Sequence, residues 1–462
     1  MAVIEYRKTL RPELDATAVP VMLSDETMAQ RKDKVLARMK ERGLDVLVIY
    51  GDLEHGNNFE YLTGFLPRFE EALLVLHQNG ESYMVMGNEN LNKVEKARIP
   101  SKAIHAPYFS LPNQPMDNIK PLEGLLEDAG LTGGLKTGIV GWKNFTSAFE
   151  DNSQLFDVPY YVVERIRKIC GNDNVSNATD LFIGYKGVRN TNNVNEIEHY
   201  EFGAALAGDC VYRAMEQLDL GVKETELGAT LNALGQKNSV VTIASAGPRF
   251  LKANIYPTDN EVKLGDPISL TVGYKGGLSS RSGYAVHDEN ELPEGMRDYL
   301  DAVVKPYYGA TVAWLENIHC GMSGGELYAL MEKVLPKDKY NWGLCPGHLC
   351  ADEEWLSSPI YKNSKEELCS GMILQLDIIP SVKGYGGTNA ESSIVLADEK
   401  LRAEIREKAP LMYARMERRR KYIVEELGIE LNPDVLPTTA TLGYLRPFLL
   451  NKDFAMGVRK GL

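Results

Sequence analysis

The sequence has no long apolar run. Its 462 residues are 44% hydrophobic, yet no stretch reaches the ~18 consecutive apolar residues of a membrane-spanning helix. Positive charge is in deficit: Lys+Arg 51 against Asp+Glu 64 gives a formal net charge of −13. That excludes the basic surface of a general nucleic-acid binder or of a protein held on anionic membrane. The opening residues, MAVIEYRKTLRPELDATAVP, contain no apolar core of a secretory signal. Cysteine is sparse, namely Cys170, Cys210, Cys320, Cys345, Cys350 and Cys369. In a chain this long such thiols are expected to be reduced, in a cytoplasmic protein. There is no internal repeat and no low-complexity tract, so a globular protein of two or three domains is expected.

Residues 1–25 read as an irregular arm. A helical pattern then starts at Asp25 in DETMAQRKDKVLARMKERG, with Met28, Val35, Leu36 and Met39 on one face and Gly43 as the stop. LDVLVIYGD (44–52) and TGIVGW (137–142) read as buried strands, and EALLVLHQNGESYMVMG (71–87) as two strands around Asn79-Gly80. Strands alternating with helices predict an α/β domain with a mixed sheet.

From about Arg189 the pattern changes. NVNEIEHYEFGAALAGDCVYRAMEQL (193–218) sets Val194, Ile197, Ala204, Ala207, Val211, Met215 and Leu218 on one face of a long amphipathic helix. A helix over 222–234 follows. DPISLTVGYKGGLSSRSGYAVH (266–287) reads strand, Gly-rich turn, strand; helices return over 295–318 and 323–334, and strands in MILQLDIIP (372–380) and AESSIVLAD (390–398). Helices and strands in blocks predict an α+β domain with an antiparallel sheet. A charged helix, MERRRKYIVEEL (416–427), and a Pro/Leu-rich tail close the chain, with RRRK (418–421) read as a solvated helix face. The expected boundaries are 1–188, 189–412 and 413–462.

GLCPGHLCADEE (343–354) packs Cys345, His348, Cys350 and the acids Asp352, Glu353 and Glu354 into one short stretch. Structural zinc wants two ligand pairs. No second cluster exists and Cys369 stands alone, so the cysteines read as buried small residues. The meaning of His348 then depends on distant residues.

Those residues form an ordered series: NEIEHYEFGAALAGD, SAGPRFLKANIYPTDNEVKLGDPISL, a Gly-rich hairpin, GH, GMILQLDIIP and ESSIVL. The series resembles the creatinase, prolidase, aminopeptidase P and methionine aminopeptidase superfamily, and RMKERGLDVLVIY…NNFEYLTGF (38–65) resembles the amino-terminal domain of its creatinase–prolidase branch. The resemblance spans about 28–400. It implies an α/β amino-terminal domain followed by an α+β pita-bread catalytic domain.

The family's metallopeptidases hold two ions with Asp, Asp, His, Glu and Glu, a donor set suited to hard divalent ions that activate water. Carried over, the first Asp falls on Thr271, the second on Arg281, the His on His348, the first Glu on Asp377 and the second on Glu391. A permanent cation at Arg281, paired with Asp377 and Glu391, leads to the expectation of a site without metal or other cofactor. If Arg281 turns away, His348, Asp377 and Glu391 remain as a set for one divalent ion (Mn, Zn, Fe or Co).

The resemblance therefore implies first a creatinase-like, metal-independent hydrolase of a C–N bond in a small metabolite. His348 is its acid/base, and Arg281, Asp377 and Glu391 line the site. Two alternatives stand beside it: an Xaa-Pro peptidase of aminopeptidase P or prolidase type with one metal ion, and a non-catalytic member that binds a small ligand or a protein. The family's histidine before the first strand falls at Asn254 or Ile255, and its later histidine is replaced within DEEWLSSP. Ser279, Ser280 and Ser282 beside Arg281 read as turn residues. Asn254 and Thr271 are expected to touch substrate. The resemblance also implies a homodimer whose amino-terminal domain closes the partner's site, with His55 and Arg68 as candidates for that contact. Arg68 reads equally as a surface partner of Glu70 or Glu71.

Overall fold

The computed structural model describes residues 3–116, 120–248 and 251–459. Arg249 and Phe250 of the SAGPRF segment lie outside the described residues, as do the first two residues of the arm, 117–119 and the last three of the tail. Two compact units divide the chain: Leu23–Asn190, and Met1–Met22 together with Thr191–Leu462.

In the first of these units the helix Asp25–Arg42 begins where the Ser24 side chain accepts the Thr27 N–H and stops at left-handed Gly43, φ 62°. Met28, Val35 and Met39 are its buried face. Six strands form one sheet in the order Lys102–His105, Ser82–Met86, Ala72–His77, Val46–Gly51, Thr137–Val140, Val175–Asn177. Val46–Gly51 runs antiparallel to Ala72–His77 and parallel to Thr137–Val140, so the sheet is mixed. Every residue of Val46–Gly51 is buried, which is why it reads as a continuous apolar run rather than an alternation. Val46, Val48 and Tyr50 pack with Leu126, Val162 and Ile166 of the covering helices, each buried aliphatic side chain contributing roughly 1.5–3 kcal/mol.

The other unit is built on the helix Val194–Gln217, opened by a capping box between Asn193 and Glu196. The helix is buried around most of its circumference, not along one stripe. It packs on the hairpin strands Pro267–Tyr274 and Gly277–Tyr284. The two come close at Gly203, where a Cβ would collide with the Lys275 carbonyl. The sheet beneath it has the order His348–Leu349, Ile373–Leu376, Asn389–Leu396, Gly277–Tyr284, Pro267–Tyr274, Ile243–Ala246, with Val435–Pro437 also paired to Asn389–Leu396. Every pairing is antiparallel.

Three readings of this unit are revised. Val3–Lys8, expected within an irregular arm, is a strand antiparallel to Phe454–Arg459. MILQLDIIP is strand only over Ile373–Leu376, which leaves Asp377 just past the strand end. The RRRK stretch is not a uniformly solvated face. Arg419 is buried and donates to Asp15 Oδ1 at 3.0 Å, Glu201 Oε1 at 2.5 Å and the Pro437 carbonyl at 2.9 Å. Arg415 reaches Glu201 Oε2 at 2.7 Å and Arg418 reaches Asp15 at 2.8 Å. The helix Pro410–Tyr422 turns its basic side inward because two buried carboxylates wait there to neutralise it. Among the described residues no helix is long and apolar enough to cross a membrane.

Candidate metal-binding site

The site begins at the turn Pro346-Gly347. Gly347 has φ 129°, and a Cβ there would stand 2.8 Å from the Gln375 carbonyl, so only glycine lets the chain enter the sheet edge this closely. Trp314 Nε1 donates to Pro346 O at 2.8 Å and fixes the turn. His348 then pairs with Gln375 across the sheet. The Gln375 amide donates to Leu278 O at 2.5 Å and to Glu391 Oε1 at 3.3 Å. Asn389 Nδ2 donates to Glu391 Oε2 at 3.3 Å. Both glutamate oxygens are thereby oriented by neutral donors.

His348 is fully buried. Its Nδ1 lies 3.1 Å from the Leu349 carbonyl. A carbonyl only accepts, so Nδ1 carries the proton and Nε2 of the neutral ring presents its lone pair. Nε2 stands 3.0 Å from Glu354 Oε1 and 3.8 Å from Asp377 Oδ2, with hydrogen-bond geometry to neither. Trp355 stacks on the ring at 4.1 Å between centroids. Asp377 is also buried, and its Oδ1 has no hydrogen-bond partner.

Burial pushes the Asp377 carboxyl up to about 6, with His348 pulling down and Glu354 pushing further up. Burial, Asp377 and Glu354 push Glu391 well above the usual carboxylate range. Burial alone would lower His348, but Glu354 and Asp377 outweigh it and the net direction is upward. The three directions agree that burial and the crowding of carboxyls make this group favour a bound proton or another cation. One donor atom each from His348, Asp377 and Glu391 lies within 4.8 Å of the others, and among the described residues this is the one such group of three. The donors fit a divalent ion: one imidazole, hard carboxylates, and buried atoms left without partners.

Arg281 is not part of this group, contrary to expectation. Its strand register pairs it with Leu270 and Ala390, while its neighbour Ser280 pairs with Thr271 and Glu391. Alternation along a strand sends the two to opposite faces. The buried guanidinium donates to the carbonyls of Tyr444 at 2.7 Å, Ser280 at 2.6 Å and Glu391 at 2.7 Å, to Ser392 Oγ at 3.2 Å and to the Thr441 carbonyl. It touches the main chain of Glu391, not the carboxylate, and pairs with neither Asp377 nor Glu391. Burial draws its pKa down to about 10, so it stays charged at neutral pH. On the site face the row is Thr271, Ser280 and Glu391, and the two hydroxyls bond each other at 2.7 Å.

The remaining expected residues lie elsewhere. Asn254 is exposed and bonds its own loop through Tyr256. His55 and Arg68 belong to the other unit. His55 Nδ1 meets Asp52 Oδ2 at 3.2 Å and stacks on Trp142, and Arg68 lies over the Phe69 ring. Glu70 is buried and accepts from Asn90 at 2.7 Å. The Ser279–Ser282 stretch is strand, not turn. Glu354 is the site residue that sequence reasoning missed. Its only signal was its place in DEEWLSSP, the stretch that stands where relatives keep a second histidine.

Two family descriptions match the chain: Creatinase/Prolidase N-terminal domain over residues 31–184, and Metallopeptidase family M24 over residues 198–398. No curated protein matches by sequence. Among solved structures, a prolidase from Thermococcus sibiricus aligns with TM-score 0.62 and 17% identity, covering 82% of this chain and 96% of that one. Dipeptidase PepE from Mycobacterium ulcerans gives 0.61 and 16% over 81% and 94%. An Xaa-Pro dipeptidase from Bacillus anthracis gives 0.60 and 15% over 81% and 96%. The expectation of a cofactor-free site is corrected by these findings. The matched domain is that of a metallopeptidase family and the structural neighbours are prolidases; the residue invoked to replace the metal also faces the other way. An α/β amino-terminal unit with a mixed sheet, followed by an antiparallel pita-bread unit whose sheet carries the buried His348–Asp377–Glu391 group, places this chain in the creatinase/prolidase/M24 superfamily.

Proposed function

We propose that the protein is a metal-dependent hydrolase of Xaa-Pro peptide type, built around one divalent ion held by His348, Asp377 and Glu391. The observation that carries this reading is the pair of buried, unpartnered atoms, His348 Nε2 and Asp377 Oδ1, in a group whose donors lie within 4.8 Å. When bound, a divalent ion supplies Lewis acidity and lowers the pKa of water. The chain's own residues do the rest. Leu349 O holds the proton on Nδ1 and keeps Nε2 free; Gln375 and Asn389 orient the Glu391 oxygens. Trp355 covers the imidazole and keeps bulk water from its face. The Xaa-Pro class is taken from the prolidase and Xaa-Pro dipeptidase neighbours.

Protein purified without chelator is analysed for Mn, Zn, Fe and Co and assayed on Xaa-Pro dipeptides with Xaa-Ala controls. The expected result is close to one ion per chain, turnover of Xaa-Pro, and loss of turnover on chelation with recovery on metal addition. Turnover that survives complete metal removal refutes the reading. A bound ion without turnover on any peptide leaves a binding protein in place of an enzyme. The reading includes a homodimer in which each amino-terminal unit, through His55 and Arg68, closes the site of a second copy. It is supported by the match to the family's amino-terminal domain, and a monomeric mass by sedimentation would remove it.

A further inference from the structure

Glu354 has no counterpart in the donor set that the resemblance implies, yet its Oε1 is the carboxylate oxygen recorded nearest to Nε2 of His348, at 3.0 Å against 3.8 Å for Asp377 Oδ2. Two donors about 2.1 Å from one ion stand roughly 3.0 Å apart at right angles and roughly 3.4 Å apart in a tetrahedron. The 3.0 Å separation falls in that range and the 3.8 Å one is wider; Glu354 stands outside the three donors that lie within 4.8 Å of one another, so its side chain turns in to reach a shared ion. In the metal-free protein the 3.0 Å separation also suits an ion pair with the protonated ring, and a divalent ion would take the place of that proton between the two groups.

The loop that carries Glu354 is tied at both ends. Leu349 N donates to Ser357 O at 2.7 Å, Leu356 N donates to Leu349 O at 2.9 Å, and Trp355 is stacked on the imidazole. The carboxylate one residue earlier is therefore held beside His348 by the fold. On the hairpin side of the site the residues in register with Glu391 offer only hydroxyls, and Thr271 Oγ1 and Ser280 Oγ are turned to each other at 2.7 Å. Anionic donors are thus gathered on the His348 side of the sheet.

We propose that Glu354 is a fourth protein ligand, completing a single-ion His348, Glu354, Asp377, Glu391 centre and making up for carboxylates absent from the hairpin. The assignment rests on the metal-dependent reading above. Three carboxylates and one neutral imidazole favour a hard or borderline divalent ion, Mn²⁺, Co²⁺ or Zn²⁺, over a soft one.

The test is Co²⁺ titration of the chelator-stripped full chain, read by calorimetry and by the visible absorption of the bound ion. Wild type takes up one Co²⁺ per chain. Glu354→Gln weakens binding at least tenfold and shifts the absorption bands, and Glu354→Asp falls between the two. Metal-free melting curves matching wild type show that a variant is folded, and Glu354→Asp carries the test if Glu354→Gln is not. Wild-type affinity and spectrum in folded Glu354→Gln overturns the ligand assignment and leaves the metal-dependent reading standing. Two Co²⁺ per wild-type chain overturns the single-ion centre. No Co²⁺ bound by wild type overturns both this inference and the reading beneath it.

Discussion

Replacing Arg281 by methionine separates the two places this residue can occupy. In the structure its guanidinium ties the carbonyls of Ser280, Glu391, Thr441 and Tyr444 and the Ser392 hydroxyl on the face of the sheet away from the metal group. Methionine keeps much of the volume but donates to none of them. Four buried carbonyls losing a donor at about 1 kcal/mol each gives a gross loss of about 4 kcal/mol. Removing a buried cation offsets part of that, so the net loss expected is about 2–4 kcal/mol, a large share of the roughly 5–15 kcal/mol that holds a typical domain folded. Urea unfolding followed by intrinsic fluorescence reads it, since Trp314, Trp342 and Trp355 all lie in this unit. Affinity for Mn²⁺ in the folded variant should stay within a few-fold of wild type. A loss below about 1 kcal/mol, coupled to a large change in Mn²⁺ affinity, would refute the argument and return Arg281 to the metal side.

Asp209 is buried, and burial followed by repulsion from Asp15 pushes it up to about 6, with Arg213 and Arg419 opposing. The unfolded chain binds that proton with a pKa of about 3.9. The folded state holds it more tightly, so this group's contribution to stability is full below pH ~4 and is lost as pH rises through ~6. Asp209→Asn should raise stability at pH 7 by about 1–3 kcal/mol and flatten the dependence between those limits; melting curves from pH 4 to 8 that keep the wild-type slope would contradict this. Gly276 has φ 102°, and a Cβ on it would collide with the Tyr200 carbonyl of the central helix. Gly276→Ala should cost more than about 2 kcal/mol, and an unchanged melting temperature would show that the hairpin turn yields. Mn²⁺ added to stripped protein at a hundred times its Kd should stabilise it by about 2.7 kcal/mol; no shift in melting would mean the buried acids are neutralised by protons alone.

Much of the architecture was legible because it follows from local rules. The helix Asp25–Arg42 announced itself through its apolar spacing and Gly43, and the Asn79-Gly80 turn marked the hairpin between Ala72–His77 and Ser82–Met86. The order of short motifs around His348, Asp377 and Glu391 was also readable, since each is one residue in a recognisable strand or turn. The facing of Arg281 was not. Counting along GLSSRSGY places it where relatives keep an acid, but a displacement of one residue in a strand exchanges its two faces, and only the pairing of Ser280 with Glu391 fixes which face that is.

The sequence by itself therefore determined the two domain types, their sheet types and the three side chains that gather as His348, Asp377 and Glu391, because periodicity and turn chemistry are properties of neighbouring residues. The tertiary structure alone decided that Arg281 serves the back of the sheet, that Glu354 stands against His348, and that Arg415 and Arg419 are buried on Asp15 and Glu201. Each of these depends on strand register or on loops closing across long stretches of chain. The free energy of bringing charges together in a low-dielectric interior is set by where the fold puts them and not by their spacing along the chain.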